Sequence, residues 1–193
     1  MDATLTNTTR TYKDAEFPIE GTWTIDPAHS TIEFTAKHLM VAKVKGRFGS
    51  FDGALRIGED PASSSATVMI EAASVDTGVA QRDDHLRSPD FFDAENHPKL
   101  TFNATRLEHS SGNEWQLHGD LTIRGVTRPV VLDTEFGGTT ADPWGGQRAV
   151  FSAETKLDRE EWGLTWNQAL ETGGWLVGRD LKVAIDVEAV LQS

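Results

Sequence analysis

Residues 31–38, TIEFTAKH, alternate without a break. Ile32, Phe34, Ala36 and His38 fall on one side, and Thr31, Glu33, Thr35 and Lys37 on the other. A strand turns successive side chains to opposite faces, so this segment reads as a strand with one apolar and one wet face. The rhythm returns along the chain. Val68 and Ile70 share a face, as do Leu100, Phe102 and Ala104, and Trp115, Leu117, Leu121 and Ile123. Near the end, Leu181, Val183, Ile185 and Val187 oppose Lys182, Asp186 and Glu188. Further strands are expected over 23–25, 46–57, 130–136 and 149–157. Phe48 and Phe51 are out of phase, which predicts a bulge near Gly49. Eight to ten strands with short connections predict an all-β sandwich or barrel. A barrel of about eight strands encloses side chains alone or one small ligand, and periodicity does not choose between them.

Two segments depart from the rhythm. Residues 79–87 have helical spacing, with Val79, Arg82 and Leu86 three to four apart, Asp76 or Thr77 placed to cap the start, and Pro89 beyond the end. Leu39–Val44 reads either as one apolar helical turn or as more strand. Residues 137–146, rich in Gly and Pro, read as a loop. Residues 1–20 are polar and Thr-rich and read as a flexible tail. Residues 21–193 then form one domain, long enough to bury a sizeable core.

The chain carries 18 Lys and Arg against 30 Asp and Glu, a net charge of −12. An acidic surface repels nucleic acid and disfavours tight electrostatic binding to anionic membranes. With no cysteine, a disulfide scaffold, a thiol nucleophile and a thiolate metal site are excluded. Residues 1–16 hold no apolar run, so they are neither a signal peptide nor an anchor, and no later segment is apolar enough for a membrane-spanning helix. This predicts a cytoplasmic protein without stable membrane insertion, or a periplasmic or secreted one if a leader was removed.

An ordered series of short motifs adds a resemblance. Trp23-x-Ile25-Asp26-x-x-His29-Ser30-x-Ile32-x-Phe34 leads to His38 and Val44-x-Gly46-x-Phe48-x-x-Phe51-x-Gly53. Then come Ser74-Val75-Asp76-Thr77, Arg82-Asp83-x-His85-Leu86-x-Ser88-x-Asp90-Phe91-Phe92-Asp93 and Pro98-x-x-Thr101-Phe102. Gly119-x-Leu121-Thr122-Ile123-x-Gly125-Val126-Thr127 and Asp158-Arg159-x-x-Trp162-Gly163-Leu164 complete it. From about residue 21 onward the chain resembles the YceI-like family; residues 137–147 match nothing in it. The resemblance implies a lipocalin-like antiparallel β-barrel of about eight strands, with one or two short helices and an internal apolar channel. It implies binding of a long amphiphile, typically a polyisoprenoid such as an isoprenoid quinone or a prenyl phosphate. It implies no established reaction. Many relatives are secreted, and this chain departs from them in lacking a signal.

Candidate ligand-binding residues follow from phase and position. Ile32, Phe34, Ala36, Phe51, Val68 and Ile70 line the expected channel, with Leu100, Phe102, Phe151 and Ile185; the alternative is that they are plain core. His38, at the end of its strand on the inward phase, is the leading polar candidate, able to donate to a quinone carbonyl or, protonated, to pair with a phosphate; otherwise it is a structural histidine. Arg82 on the helix meets an anionic headgroup or is an ion-paired plug. Phe91 and Phe92 turn inward and seal one end. Trp162 and Trp166 contact an entering lipid tail or form a satellite core under a loop. Asp83, Asp84 and His85 are adjacent on a helix and do not converge on one metal ion. No nucleophile–base arrangement appears, His29-Ser30 reads as turn chemistry, and no catalytic residue is assigned.

The sequence therefore predicts a non-enzymatic barrel that stores, transports or sequesters an isoprenoid lipid, with no other cofactor and no metal. Two alternatives fit the same pattern. One is an enzyme acting on that lipid, with His38 and a carboxylate as acid and base. The other is a stress-response protein whose barrel is filled. A homodimer is compatible with the sequence, which does not set the oligomeric state.

Overall fold

The computed structural model describes residues 8–143, 145–171 and 173–192. A hairpin comes first, β1 (Thr9–Tyr12) and β2 (Ala15–Pro18), followed by β3 (Gly21–Ile25), β4 (Thr31–His38), β5 (Ala42–Phe48) and β6 (Phe51–Ile57). Then come β7 (Ser65–Glu71), β8 (Val75–Asp76) and the helix α1 (Ala80–Arg87). The long strands β9 (Lys99–Ser111), β10 (Glu114–Ile123), β11 (Val126–Ala141), β12 (Gln147–Asp158) and β13 (Val177–Leu191) close the chain.

The sheet is an up-and-down barrel of eight walls. β3 and β4 pair in one direction with β13, at Ala189–Ile25 and Ile185–Ile32, so they are two halves of one kinked wall. β5 and β6 pair with them as a second kinked wall, and β8 and β7 form the third. β9 to β12 follow in order as antiparallel neighbours. β12 pairs with β13 over Arg148–Asp158, which closes the ring and removes its free edges.

The three kinks lie side by side and form a corner. Hydrogen bonds cross it: Asp26 N donates to Glu188 O at 2.8 Å, Glu188 N to Ser30 Oγ at 3.0 Å, and Gly49 N to Ser74 O at 3.0 Å. The expected irregularity at Gly49 is this corner. Arg148 holds it from outside, with Nη1 2.8 Å from Asp26 Oδ2 and Nε 3.3 Å from Asp142 Oδ2.

Three expectations are corrected. Residues 9–18, read as part of a flexible tail, form a hairpin that stops one barrel end; residues 1–7 lie outside the described residues. Phe17 is 2% exposed, its ring centroid 4.6 Å from that of Trp115. Thr8 Oγ1 donates to Thr139 Oγ1 at 2.7 Å. Apart from Phe17, the hairpin has too few apolar residues to read as a strand pair; only the open barrel end makes burial of Phe17 worthwhile. Second, the loop expected from residue 137 is strand as far as Ala141, because β12 pairs with it through Ala141–Gln147. Third, neither Asp76 nor Thr77 caps α1. Val79 is the N-cap and makes no side-chain cap bond. The traffic runs the other way: Asp83 Oδ1 accepts from Thr77 N at 2.8 Å and from Thr77 Oγ1 at 2.5 Å.

Candidate binding channel

The barrel is hollow. A cavity of about 260 Å3 runs along its axis; one water needs roughly 10–15 Å3 on such a measure, so this is not a packing fault. On β13 the lining runs from Val177 to Val187. Ten steps of strand at about 3.3 Å each, tilted by about 40°, give a bore of roughly 25 Å. Ala36, Val68, Val183 and Ile185 point inward, yet are only half-buried, because they face the hollow.

Glycines on neighbouring strands keep two large rings out of that hollow. Gly46 lies opposite Phe34, and a Cβ there would sit 2.4 Å from the Phe34 ring. A Cβ on Gly119 would sit 2.4 Å from the Phe102 ring. Both rings thus lie flat on the wall over a bare stretch of backbone. Large inward residues need not mean a filled barrel when the next wall has no side chain to meet them.

The ends differ. One is stopped by Phe17, which lines the cavity together with Trp115, Ile57 and Phe151. The other is covered by loops. α1 and its C-terminal turn bring Leu86, Phe91 and Phe92 over it, and the segment after β12 brings Leu164. Trp166 is half-buried against this cover, with ring centroids 4.5 Å from His85 and 5.4 Å from Phe91.

Most sequence-selected residues come together in this one space. Ile32, Phe34, Ala36, Phe51, Val68, Ile70, Phe91, Phe92, Leu100, Phe102, Phe151 and Ile185 all line it. Four do not. His38 keeps the inward phase, but the lining ends at Ala36; His38 is half-buried at the rim, paired with Ala42 and Val177. Arg82 turns back on its own loop, Nε donating to Thr77 Oγ1 at 2.7 Å and Nη2 to Thr77 O at 3.0 Å. Trp162 is 1% exposed and donates Nε1 to Leu121 O at 3.0 Å, packed behind the lining. Trp166 caps the cover without reaching the bore.

Arg159 was missed by sequence reasoning. It is 3% exposed and lines the cavity at the loop-covered end. Nε donates to Gly178 O at 2.9 Å, Nη2 to Val177 O at 3.5 Å, and Nη1 to Leu164 O. These carbonyls belong to the two ends of one loop, so the guanidinium clasps it shut. The neighbouring acids are engaged elsewhere: Asp158 Oδ2 lies 2.5 Å and Glu160 Oε2 3.1 Å from the Arg179 guanidinium. Burial lowers the pKa of Arg159. A strand-end arginine after an aspartate looks like ordinary surface charge; the available signal was its place in the Asp158-Arg159 motif.

Among the described lining residues the charged ones are Glu33 and Arg159, and the other polar ones are serines and threonines. Among the described residues these do not form an acid–base pair at the bore. Asp26, His29 and Glu188 converge closely enough to suggest a cation site, but Arg148 already holds Asp26 and Glu188. No helix among the described residues is long and apolar enough to cross a membrane.

Comparison with known proteins agrees with this geometry. The YceI-like domain family matches residues 23–189. A UPF0312 protein of Staphylococcus epidermidis is 43% identical over 166 residues, covering 84% of this chain and 94% of that protein. One from Staphylococcus aureus is 41% identical over 169 residues, covering 86% and 95%. The crystal structure of a Campylobacter jejuni YceI protein, 31% identical, superimposes with a TM-score of 0.70 over 81% of this chain and 90% of that one. A polyisoprenoid binding domain from Saccharophagus degradans shares the fold, with a TM-score of 0.66 at 13% identity over 90% of this chain and 100% of that one.

Proposed function

The chain belongs to the YceI-like family, and we propose that its barrel binds an isoprenoid-type lipid, an isoprenoid quinone or a prenyl phosphate, for storage, transport or sequestration. The observation that carries this reading is the continuous apolar bore, stopped at one end by Phe17 and covered at the other by loops. A bore of this shape takes a long unbranched or methyl-branched chain, not a compact solute. The polyisoprenoid binding domain of the same fold supports the class of ligand. The headgroup rests at the loop-covered end beside Arg159, whose charge has no bonded carboxylate among the described residues. Binding is favoured over catalysis because the charged residues among the described lining are Glu33, on the outward phase of β4, and Arg159, bonded to loop carbonyls, and the two do not form an acid–base pair.

A lipid already in a membrane has left water, so moving it into an apolar bore gains little per carbon. Selectivity then comes from fitted packing and the few polar contacts at one end. Native mass spectrometry of the protein purified from cells, followed by lipid extraction, tests the proposal. The expected result is a long-chain isoprenoid adduct that is depleted in Ala36→Phe while the barrel circular-dichroism spectrum is kept. Folded wild-type protein without any lipid adduct, or an Ala36→Phe variant carrying the wild-type load, would count against it.

A further inference from the structure

The turn between β4 and β5 works against its own local chemistry. Leu39 and Met40 have φ of 51° and 66°, the left-handed region that favours glycine and asparagine and disfavours large side chains. The two residues are 45% and 56% exposed, and the next, Val41, is 86% exposed. Beside them lies exposed Trp175, on the loop that Arg159 clasps. Leu39 N donates to Leu176 O at 2.9 Å, which joins turn and loop into one surface.

The charges behind this tip are also unusual. Lys37 and Lys43 are cross-strand partners, both exposed; like charges directly opposite each other are unfavourable. Lys45 follows on the same outward face. Of the lysines, Lys99 and Lys156 have ion pairs, whereas Lys37, Lys43 and Lys45 have none among the described residues. Nearby Arg179 and Asp180 are already paired, with Asp158 and Lys156. The loop between Gly163 and Leu176 adds one acid, Glu171. A chain of net charge −12 thus concentrates unpaired positive charge behind an apolar tip at the loop-covered end of its bore.

We propose that this hairpin tip is a docking surface for an anionic lipid bilayer: Leu39, Met40, Val41 and Trp175 enter the interface while Lys37 and Lys43 meet headgroup phosphates. Facing lysines, unfavourable in water, become compatible with their surroundings there, and the strained turn presents large apolar side chains where the usual glycine or asparagine would offer the interface none. The docked orientation turns the covered end of the bore toward the membrane. The docking is independent of what the bore holds.

Co-sedimentation with phosphatidylglycerol and with phosphatidylcholine vesicles is the test. Wild-type protein is expected to pellet with the anionic vesicles and to be released by high salt. Lys37→Ser and Lys43→Ser are each expected to weaken binding about fivefold, from roughly 1 kcal/mol per basic residue near such a surface. The double variant Leu39→Asn, Met40→Gly suits the left-handed turn, so its melting temperature should rise while vesicle binding is lost. Wild-type protein that fails to bind anionic vesicles would overturn the proposal. So would undiminished binding by the double variant, or equal binding to both vesicle types with no effect of salt.

Discussion

At the scale of single residues, position in three dimensions outweighs residue type. His38 has the chemistry of a headgroup ligand and the right phase, yet it lies one inward step beyond the lining. Arg159 looks like a surface residue in sequence and is buried at the bore. Asp26 shows the same with respect to stability. The Arg148 guanidinium, helped by His29, holds its carboxyl at about 2, below the ordinary 3.8. A carboxylate lowered on folding stabilises the protein fully above its unfolded pKa, and the contribution is lost as pH falls through the folded value. Asp26→Asn is therefore expected to lower stability by about 2 kcal/mol at neutral pH. The difference from wild type should shrink between pH 4 and pH 2 in denaturant titrations, and a constant difference across that window would contradict this account.

At the scale of elements, the decisive units are those that close the barrel. The β1–β2 hairpin contributes no wall, but it delivers Phe17 to one end, where Trp115 and Phe136 receive it. Phe17→Ala should cost about 3–5 kcal/mol, as for other buried phenylalanines, read as a melting temperature lower by roughly 10 °C for a domain of this size. An environment-sensitive apolar dye should also gain access to the bore. A near-neutral effect would mean that the hairpin is dispensable to that end. At the other end, α1 was legible from its spacing, but its role was not. Asp83, buried beneath the helix start, fastens it to Thr77, and this fixes Phe91 and Phe92 over the bore.

At the scale of the whole molecule, one hollow serves two ends, and an empty hollow carries a cost in stability. Apolar walls without a partner forgo dispersion contacts. A bound lipid restores them and stabilises the folded state by mass action, about 2.7 kcal/mol at a hundredfold excess over Kd. Protein stripped of lipid by extraction is expected to keep its circular-dichroism spectrum and to melt roughly 5–10 °C lower. Adding back the extracted lipid should restore the original melting temperature. An unchanged melting temperature after complete stripping would speak against an occupied bore. The net charge of −12, which disfavours anionic partners as an average, hides a local reversal at the β4–β5 tip.

The alternation from Ile32 to Ala36, from Leu100 to Ala104 and from Leu181 to Val187 determined by itself that the chain forms an all-β domain with an apolar inner face. A period of two residues admits no other regular structure, and the inward residues named from it share one cavity. Whether that interior is filled depended on strand register and on what stands across the barrel. Gly46 beneath Phe34 and Gly119 beneath Phe102 lie on neighbouring strands, and the pairing register of each hairpin sets which ring meets which glycine. Tertiary contact likewise places Phe17 in its socket and Arg159 on the carbonyls of Leu164, Val177 and Gly178. Periodicity records which face a side chain takes, whereas the volume left between faces is set by what stands across the barrel.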